Sequence, residues 1–148
     1  MEHYIQALTR GDAASACRLI TARAAREDLV WMALALKARR TGSAPSRCLS
    51  ESRRVAARMD PALKRRLRAL GLGGSTVEGR SACVPTRGIA EGLGFPLVRS
   101  GPDEWRVDGL EPLLAFPPMS RDLRPGGREY RGCGGRVPGG RRPGAVPG

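Results

Sequence analysis

The chain has 148 residues, of which 41% are hydrophobic, and a formal net charge of +12 at neutral pH. This length fits one domain of ordinary size, and no stretch approaches the roughly 18 apolar residues of a membrane span. The first residues lack the basic and apolar segments of a signal peptide, so we expect a cytoplasmic protein, unless a start assigned too far downstream has removed a leader.

The positive charge comes almost entirely from arginine, because Lys37 and Lys64 are the only lysines. Two interpretations are open. Arginine, alanine, glycine and proline have GC-rich codons, so a high-GC bacterium would produce such a surface without selecting it. A basic surface also binds nucleic acid through its phosphates. We favour the first interpretation, and nucleic acid is disfavoured as a partner.

Apolar residues at helical spacing predict five helices in the first half of the chain. Gly11 ends the first, Asp12 caps the second, and Asp60 with Pro61 opens the fifth. In the third helix, Val30, Trp31 and Leu34 widen the apolar stripe, which predicts burial on more than one side. The segments are 3–10, a helix following Asp12, 23–39, 47–59 and 61–70.

The second half has the texture of short strands, predicted at 75–77, 80–84, 95–99 and 104–107. Gly71, Gly73 and Gly74 before them are interpreted as a flexible connector. Helices followed by strands predict an α+β domain, which we place at 1–116. Residues 117–148 are rich in Gly, Pro and Arg and predict a disordered tail, since such a composition cannot repay its ordering entropy.

Residues 4–21 (YIQALTRGDAASACRLIT) and 95–110 (FPLVRSGPDEWRVDGL) resemble the two ends of small actinobacterial proteins of the nuclear-transport-factor-two-like superfamily. Its members include SnoaL-like and ketosteroid-isomerase-like proteins. The helix opened by Cys48, the Leu/Arg-rich helix at 63–70 and the Glu78-Gly79 turn are also similar. The resemblance implies a cone of helices on a short, curved, mostly antiparallel sheet. Its concave side would form a pocket, with Trp31, Trp105 and Val107 as candidate lining residues.

Candidate catalytic groups are few. His3 is the sole histidine and lies at the chain start, and the cysteines lack zinc spacing, so neither a metal nor another cofactor is expected. Asp108 is the best candidate acid/base, although it alternates out of phase with Trp105 and Val107. Asp12 and Asp60 are explained as caps, Asp103 as a turn residue and Asp28 as a solvated side chain.

Cys17 and Cys48 each lie on the apolar stripe of a helix, so we expect them side by side. Two buried free thiols are one alternative. A helix–helix disulfide, which the resemblance implies, is the other, and a reducing cytosol would oppose it. Cys83 and Cys133 are predicted to be unpaired.

A cluster of basic side chains on the fourth and fifth helices could grip phosphates. We favour a solvated helix face instead, because no aromatic residues interleave with the cations. The cluster, called the basic patch below, comprises Arg53, Arg54, Arg58, Lys64, Arg65, Arg66 and Arg68.

Three functions remain open. The first is a non-catalytic pocket or interaction domain that binds an unknown small molecule or protein, or forms a homodimer through its open sheet face. The second is a small-molecule isomerase or cyclase that uses Asp108. The third is an accessory protein that binds nucleic acid weakly and without sequence preference.

Overall fold

A computed structural model describes residues 1–38, 46–88, 93–117 and 119. Helices precede a curled antiparallel sheet, so the α+β prediction is confirmed. The helices are α1 Glu2–Arg10, α2 Ala13–Arg18, α3 Ala22–Ala35, α4 Arg47–Arg58, α5 Pro61–Arg68 and α6 Glu111–Leu114. The strands are β1 Gly71–Leu72, β2 Thr76–Glu78, β3 Ser81–Arg87, β4 Gly94–Arg99 and β5 Trp105–Val107.

Short polar signals begin and end the early helices as the sequence predicts. Gly11 ends α1 in the left-handed conformation, with φ of 78°, which a residue without Cβ adopts readily. The Asp12 carboxylate accepts from the backbone N–H of Ser15 at 3.1 Å and begins α2. Asp60 caps α5 in the same way. Within the described ranges, no helix combines the length and the apolar character needed to cross a membrane.

Helix α3 differs from its prediction at its end and on its outer face. It stops at Ala35 instead of continuing to 39, because Lys37 takes a positive φ of 51° and the N–H of Ala38 bonds back to the Ala33 carbonyl at 2.9 Å. The predicted burial on more than one side is wrong, since Trp31 is 45% and Leu34 is 56% exposed. Helix α3 packs against α4, and Trp31 and Leu34 lie on a part of α3 that meets solvent.

The sheet is antiparallel, with strand order β1-β3-β4-β5 and β2 also paired to β3. Strand β1 occupies part of the segment predicted as a flexible connector, and that prediction is wrong. The N–H of Gly73 donates to the Pro85 carbonyl at 2.8 Å. A Cβ on Gly73 would lie 2.8 Å from Cγ of Pro85. The glycine therefore permits close approach of two backbones.

The link between α2 and α3 joins the helices to the sheet. Ile20 forms a parallel bridge with Val107, where the Val107 N–H donates to the Leu19 carbonyl at 2.8 Å and the Thr21 N–H donates to the Val107 carbonyl at 2.9 Å. This pairing covers one edge of β5, which would otherwise present unpaired backbone groups.

Core packing extends past the predicted domain boundary at 116. Phe116 is 3% exposed and Met119 is fully buried, both in the main hydrophobic cluster. The N-terminal helices contribute Tyr4, Leu8 and Leu29 to the same cluster. Met119 therefore belongs to the folded unit, although the sequence assigns it to the tail. The predicted tail comprises residues 117–148, of which 118 and 120–148 lie outside the described residues.

Candidate functional site

A groove of about 320 Å³ lies between α1 and α2. Ala7 and Leu19 are its apolar lining residues, and Ala7 is buried. The polar lining residues are His3, Gln6, Arg10, Asp12, Ser15 and Arg18. This volume lies near the lower end of the range for small-molecule sites, roughly 300–1,000 Å³.

Local sequence explains why these side chains share one opening. His3, Gln6 and Arg10 are spaced three and four residues apart on α1, so they lie on one exposed face of that helix. The left-handed Gly11 reverses the chain and returns α2 alongside α1. Arg18, near the end of α2, is thereby brought to the same groove as Arg10.

The groove carries an excess of positive charge. Nη2 of Arg18 donates to Oγ of Ser15 at 2.8 Å, which orients the guanidinium. Hydrogen bonds from the Ser15 side chain and backbone, together with the nearby Arg18 charge, hold the pKa of Asp12 below its ordinary value. Asp12 thus offsets one cation. The side chains of Arg10 and His3 have no hydrogen-bond or ion-pair partner among the described residues.

Asp108, the predicted acid/base candidate, connects the sheet to α3. Its Oδ1 accepts from Oγ1 of Thr21 at 2.7 Å, and its Oδ2 lies 3.2 Å from Nη2 of Arg23. The same guanidinium donates to the Asp108 carbonyl. Burial alone would lower the pKa of Arg23, but Asp108, together with smaller contributions from Asp28 and Glu27, outweighs it and raises that pKa. Through these contacts, Asp108 has a structural role: it links the end of β5 to the beginning of α3.

Asp28 was predicted to be solvated, and that prediction is wrong. It is 1% exposed, and its Oδ2 accepts from the Leu110 N–H at 3.0 Å. Tyr4 is fully buried, and burial, with a smaller contribution from the Asp28 charge, raises its pKa. The apolar stripe of α3 does not predict the hydrogen bond between Asp28 and Leu110, because Leu110 lies far from α3 in the sequence. Both side chains are inaccessible to a substrate in this conformation.

The three predicted pocket residues occupy different environments. Trp31 is exposed on α3, Trp105 is half-buried on β5, and Val107 is 2% exposed in the core. None of them lines the groove between α1 and α2. Sequence reasoning missed that groove because its residues are polar, and Asp12 already had a local explanation as a cap. The shared face of His3, Gln6 and Arg10 was the available signal.

A disulfide joins Cys17 on α2 to Cys48 on α4, with the Cα atoms 5.9 Å apart. Of the two alternatives left open by the sequence, the structure has the bridged one. Oγ of Ser52 lies 3.6 Å from the sulfur of Cys17 and 3.9 Å from that of Cys48. Cys83 is also disulfide-bonded, so its prediction as unpaired is wrong. Pairing cannot be deduced from spacing alone, and Cys133 lies outside the described residues.

The side chains of the basic patch have different environments, and four of its arginines have partners within the protein. Arg54 is buried, forms a 2.6 Å ion pair with Glu51 and donates to the Ala38 carbonyl. Nε of Arg58 donates to the Leu36 carbonyl at 3.1 Å. Arg66 and Arg68 donate to the Pro117 carbonyl and to Oγ1 of Thr9. In the described part of the chain, no such contact is made by Arg53, Lys64 or Arg65.

No group of three His, Cys, Asp or Glu side chains suited to a metal ion occurs among residues 1–38, 46–88, 93–117 and 119. Comparisons of the chain with known protein families, curated proteins and solved structures return no match. A functional assignment therefore has to rest on the groove and on the side chains around it.

Proposed function

We propose that this protein is a non-catalytic binding domain whose ligand site is the groove between α1 and α2. The observation that carries the proposal is the contrast between accessible and engaged polar groups. The groove presents Arg10 and His3 to solvent, and neither side chain has a hydrogen-bond or ion-pair partner among the described residues. The carboxylates of Asp28 and Asp108 instead accept hydrogen bonds from Leu110 and Thr21 within the fold.

The size and lining of the groove suit a small molecule. Apolar lining residues exclude water from part of a ligand, and a few polar groups set its orientation. Ala7 and Leu19 supply the apolar lining, and Gln6 offers an amide that both donates and accepts. A volume of about 320 Å³ can hold a small molecule.

The two alternative functions receive less support. An isomerase or cyclase needs a carboxylate that reaches its substrate, whereas Asp108 is occupied by Thr21 and Arg23. A nucleic-acid interface needs a continuous basic face, whereas Arg54 and Arg58 donate to carbonyls at the end of α3.

The Cys17–Cys48 bridge and the bonded state of Cys83 support an oxidising compartment over the cytoplasm. Alkylation and mass spectrometry of protein isolated from its native cells would test this. We expect no free thiol at either Cys17 or Cys48. Quantitative alkylation of both under native redox conditions would contradict it.

Membership of the nuclear-transport-factor-two-like superfamily is a proposal as well. Its support is the order of helices before a curled antiparallel sheet, together with the similarity of residues 4–21 and 95–110. A homodimer through the sheet face stays a prediction. Val77, 57% exposed on β2, is an apolar side chain available to such a contact.

The binding proposal is tested by mapping small molecules onto the surface. A library of small polar compounds is added to ¹⁵N-labelled protein, and we expect shifted amide signals from α1 and α2. Gln6→Trp should abolish these shifts by filling the groove. Ala57→Trp, at an exposed position on α4 outside the groove, is the matched control. Binding that survives Gln6→Trp, or that maps elsewhere, would overturn the assignment.

A further inference from the structure

We infer that the groove selects ligands carrying a small oxyanion, a carboxylate or a phosphate group, through Arg10 and Arg18. This inference rests on the proposed function and specifies its ligand class. Both arginines line the groove from different helices, one near the end of α1 and one at the end of α2.

The donors of these arginines are available. Arg18 uses Nη2 toward Ser15, and its Nε and Nη1 have no partner among the described residues. Arg10 forms no side-chain hydrogen bond or ion pair there. A guanidinium presents several N–H groups in a planar fork that matches a carboxylate or phosphate. Both guanidinium groups line the same groove, so an oxyanion bound there can accept hydrogen bonds from either of them.

The charges in the groove favour an anion over a cation. Asp12 is the acidic residue in the lining, and its carboxylate already accepts from the Ser15 N–H at 3.1 Å. With Asp12 ionised, Arg10 and Arg18 leave a positive excess in the groove. The short hydrogen bond from Arg18 to Ser15 also reduces the number of orientations that the guanidinium must lose on binding.

Two arginines of the basic patch provide a contrast. Arg54 and Arg58 donate to backbone carbonyls at the end of α3. The buried Arg54 cannot release its donor without leaving the Ala38 carbonyl without that hydrogen bond. Arg10 and Arg18 can bind a ligand without such a loss. The same protein therefore contains arginines committed to folding and arginines available for recognition.

The experiment titrates inorganic phosphate and, separately, acetate into ¹⁵N-labelled protein at constant ionic strength, with chloride as the balancing anion. We expect saturable shifts at the end of α1 and in α2, and a smaller effect of equimolar glycerol. Arg10→Gln and Arg18→Gln should each raise the Kd roughly fivefold, which corresponds to a loss of about 1 kcal/mol of binding free energy. Arg53→Gln, at an exposed site on α4, is the control and should leave the Kd unchanged.

The outcomes separate this inference from the binding proposal. Saturable binding of neutral compounds in the groove, with no preference for phosphate or acetate, would overturn the inference and leave the binding proposal intact. Equal effects of Arg10→Gln and Arg53→Gln would show a general ion atmosphere and would also overturn it. Failure of both anions and the neutral library to shift the groove would overturn both proposals.

Discussion

Two arginines of α4 donate to carbonyls at the C-terminal end of α3, whereas Arg10 and Arg18 of α1 and α2 line an open groove. In the α3–α4 pair, Arg54 and Arg58 donate to the carbonyls of Ala38 and Leu36. In the α1–α2 hairpin, Arg10 has no such acceptor among the described residues. The difference follows from what each arginine faces. The carbonyls of Leu36, the C-cap of α3, and of Ala38, which lies just beyond it, accept from α4, since a carbonyl at a helix end lacks an intrahelical donor.

The net charge of a chain does not show which of its arginines lie on the surface. A net charge of +12 describes the chain, but Arg54 contributes a buried ion pair with Glu51 and does not add to an outer surface. Substitutions in the two regions should therefore differ in their effects on stability.

The largest loss of stability is expected for Arg54→Ala. This substitution leaves the buried Glu51 without its ion-pair partner and removes the hydrogen bond to the Ala38 carbonyl. Breaking a buried pair by removing one partner costs about 3–5 kcal/mol. Urea denaturation should show this loss. Arg53→Ala, at the exposed neighbouring position, should change stability by less than about 0.5 kcal/mol. Equal losses for the two variants would contradict the structural role of Arg54.

The second effect concerns the disulfide that joins the hairpin to α4. The bridge spans 31 residues, and a loop of this size restricts the unfolded chain by about 3–4 kcal/mol. The double variant Cys17→Ala/Cys48→Ala should lose this amount in urea denaturation. Each single variant should lose nearly as much as the double, because either change breaks the bridge. Single losses that sum to the double loss would argue against a shared bond.

A smaller gain is expected at the end of α3. Lys37 has a positive φ of 51°, a conformation that costs residues with a Cβ about 1–2 kcal/mol. Lys37→Gly should therefore stabilise the protein by about 0.5–1 kcal/mol, after the extra flexibility of glycine in the unfolded chain is subtracted. Lys37→Ala retains the Cβ and serves as control, with no gain expected. A destabilised glycine variant would show that the lysine side chain itself stabilises the helix end.

The smallest effect is expected in the groove. Arg10→Gln and Arg18→Gln should each change the free energy of unfolding by less than about 0.5 kcal/mol, because both side chains are exposed and hold no other element in place. Thermal unfolding in chloride alone measures this. A loss of several degrees in Tm would show that these arginines have a structural role, as Arg54 does. The contrast between the two regions would then not hold.

Local signals were sufficient for much of the helical half. The caps at Asp12 and Asp60 and the end of α1 at Gly11 depend on neighbours within a few residues, so the sequence predicts them. The placement of Cys17 beside Cys48 also follows from two apolar stripes that must share a core. In contrast, the stripe of α3 suggested burial of Trp31, because spacing gives the width of a stripe but not what lies opposite it.

By itself, the sequence determined the α+β order, the helix starts and the central strands, since these depend on short-range periodicity and turn chemistry. Only the tertiary structure decided the parts that need distant partners. Strand β1 requires β3, Asp28 requires the Leu110 N–H, and Met119 requires an open place in the core. The groove has the same origin, because Arg10 and Arg18 meet only after Gly11 reverses the chain and α2 packs on α1.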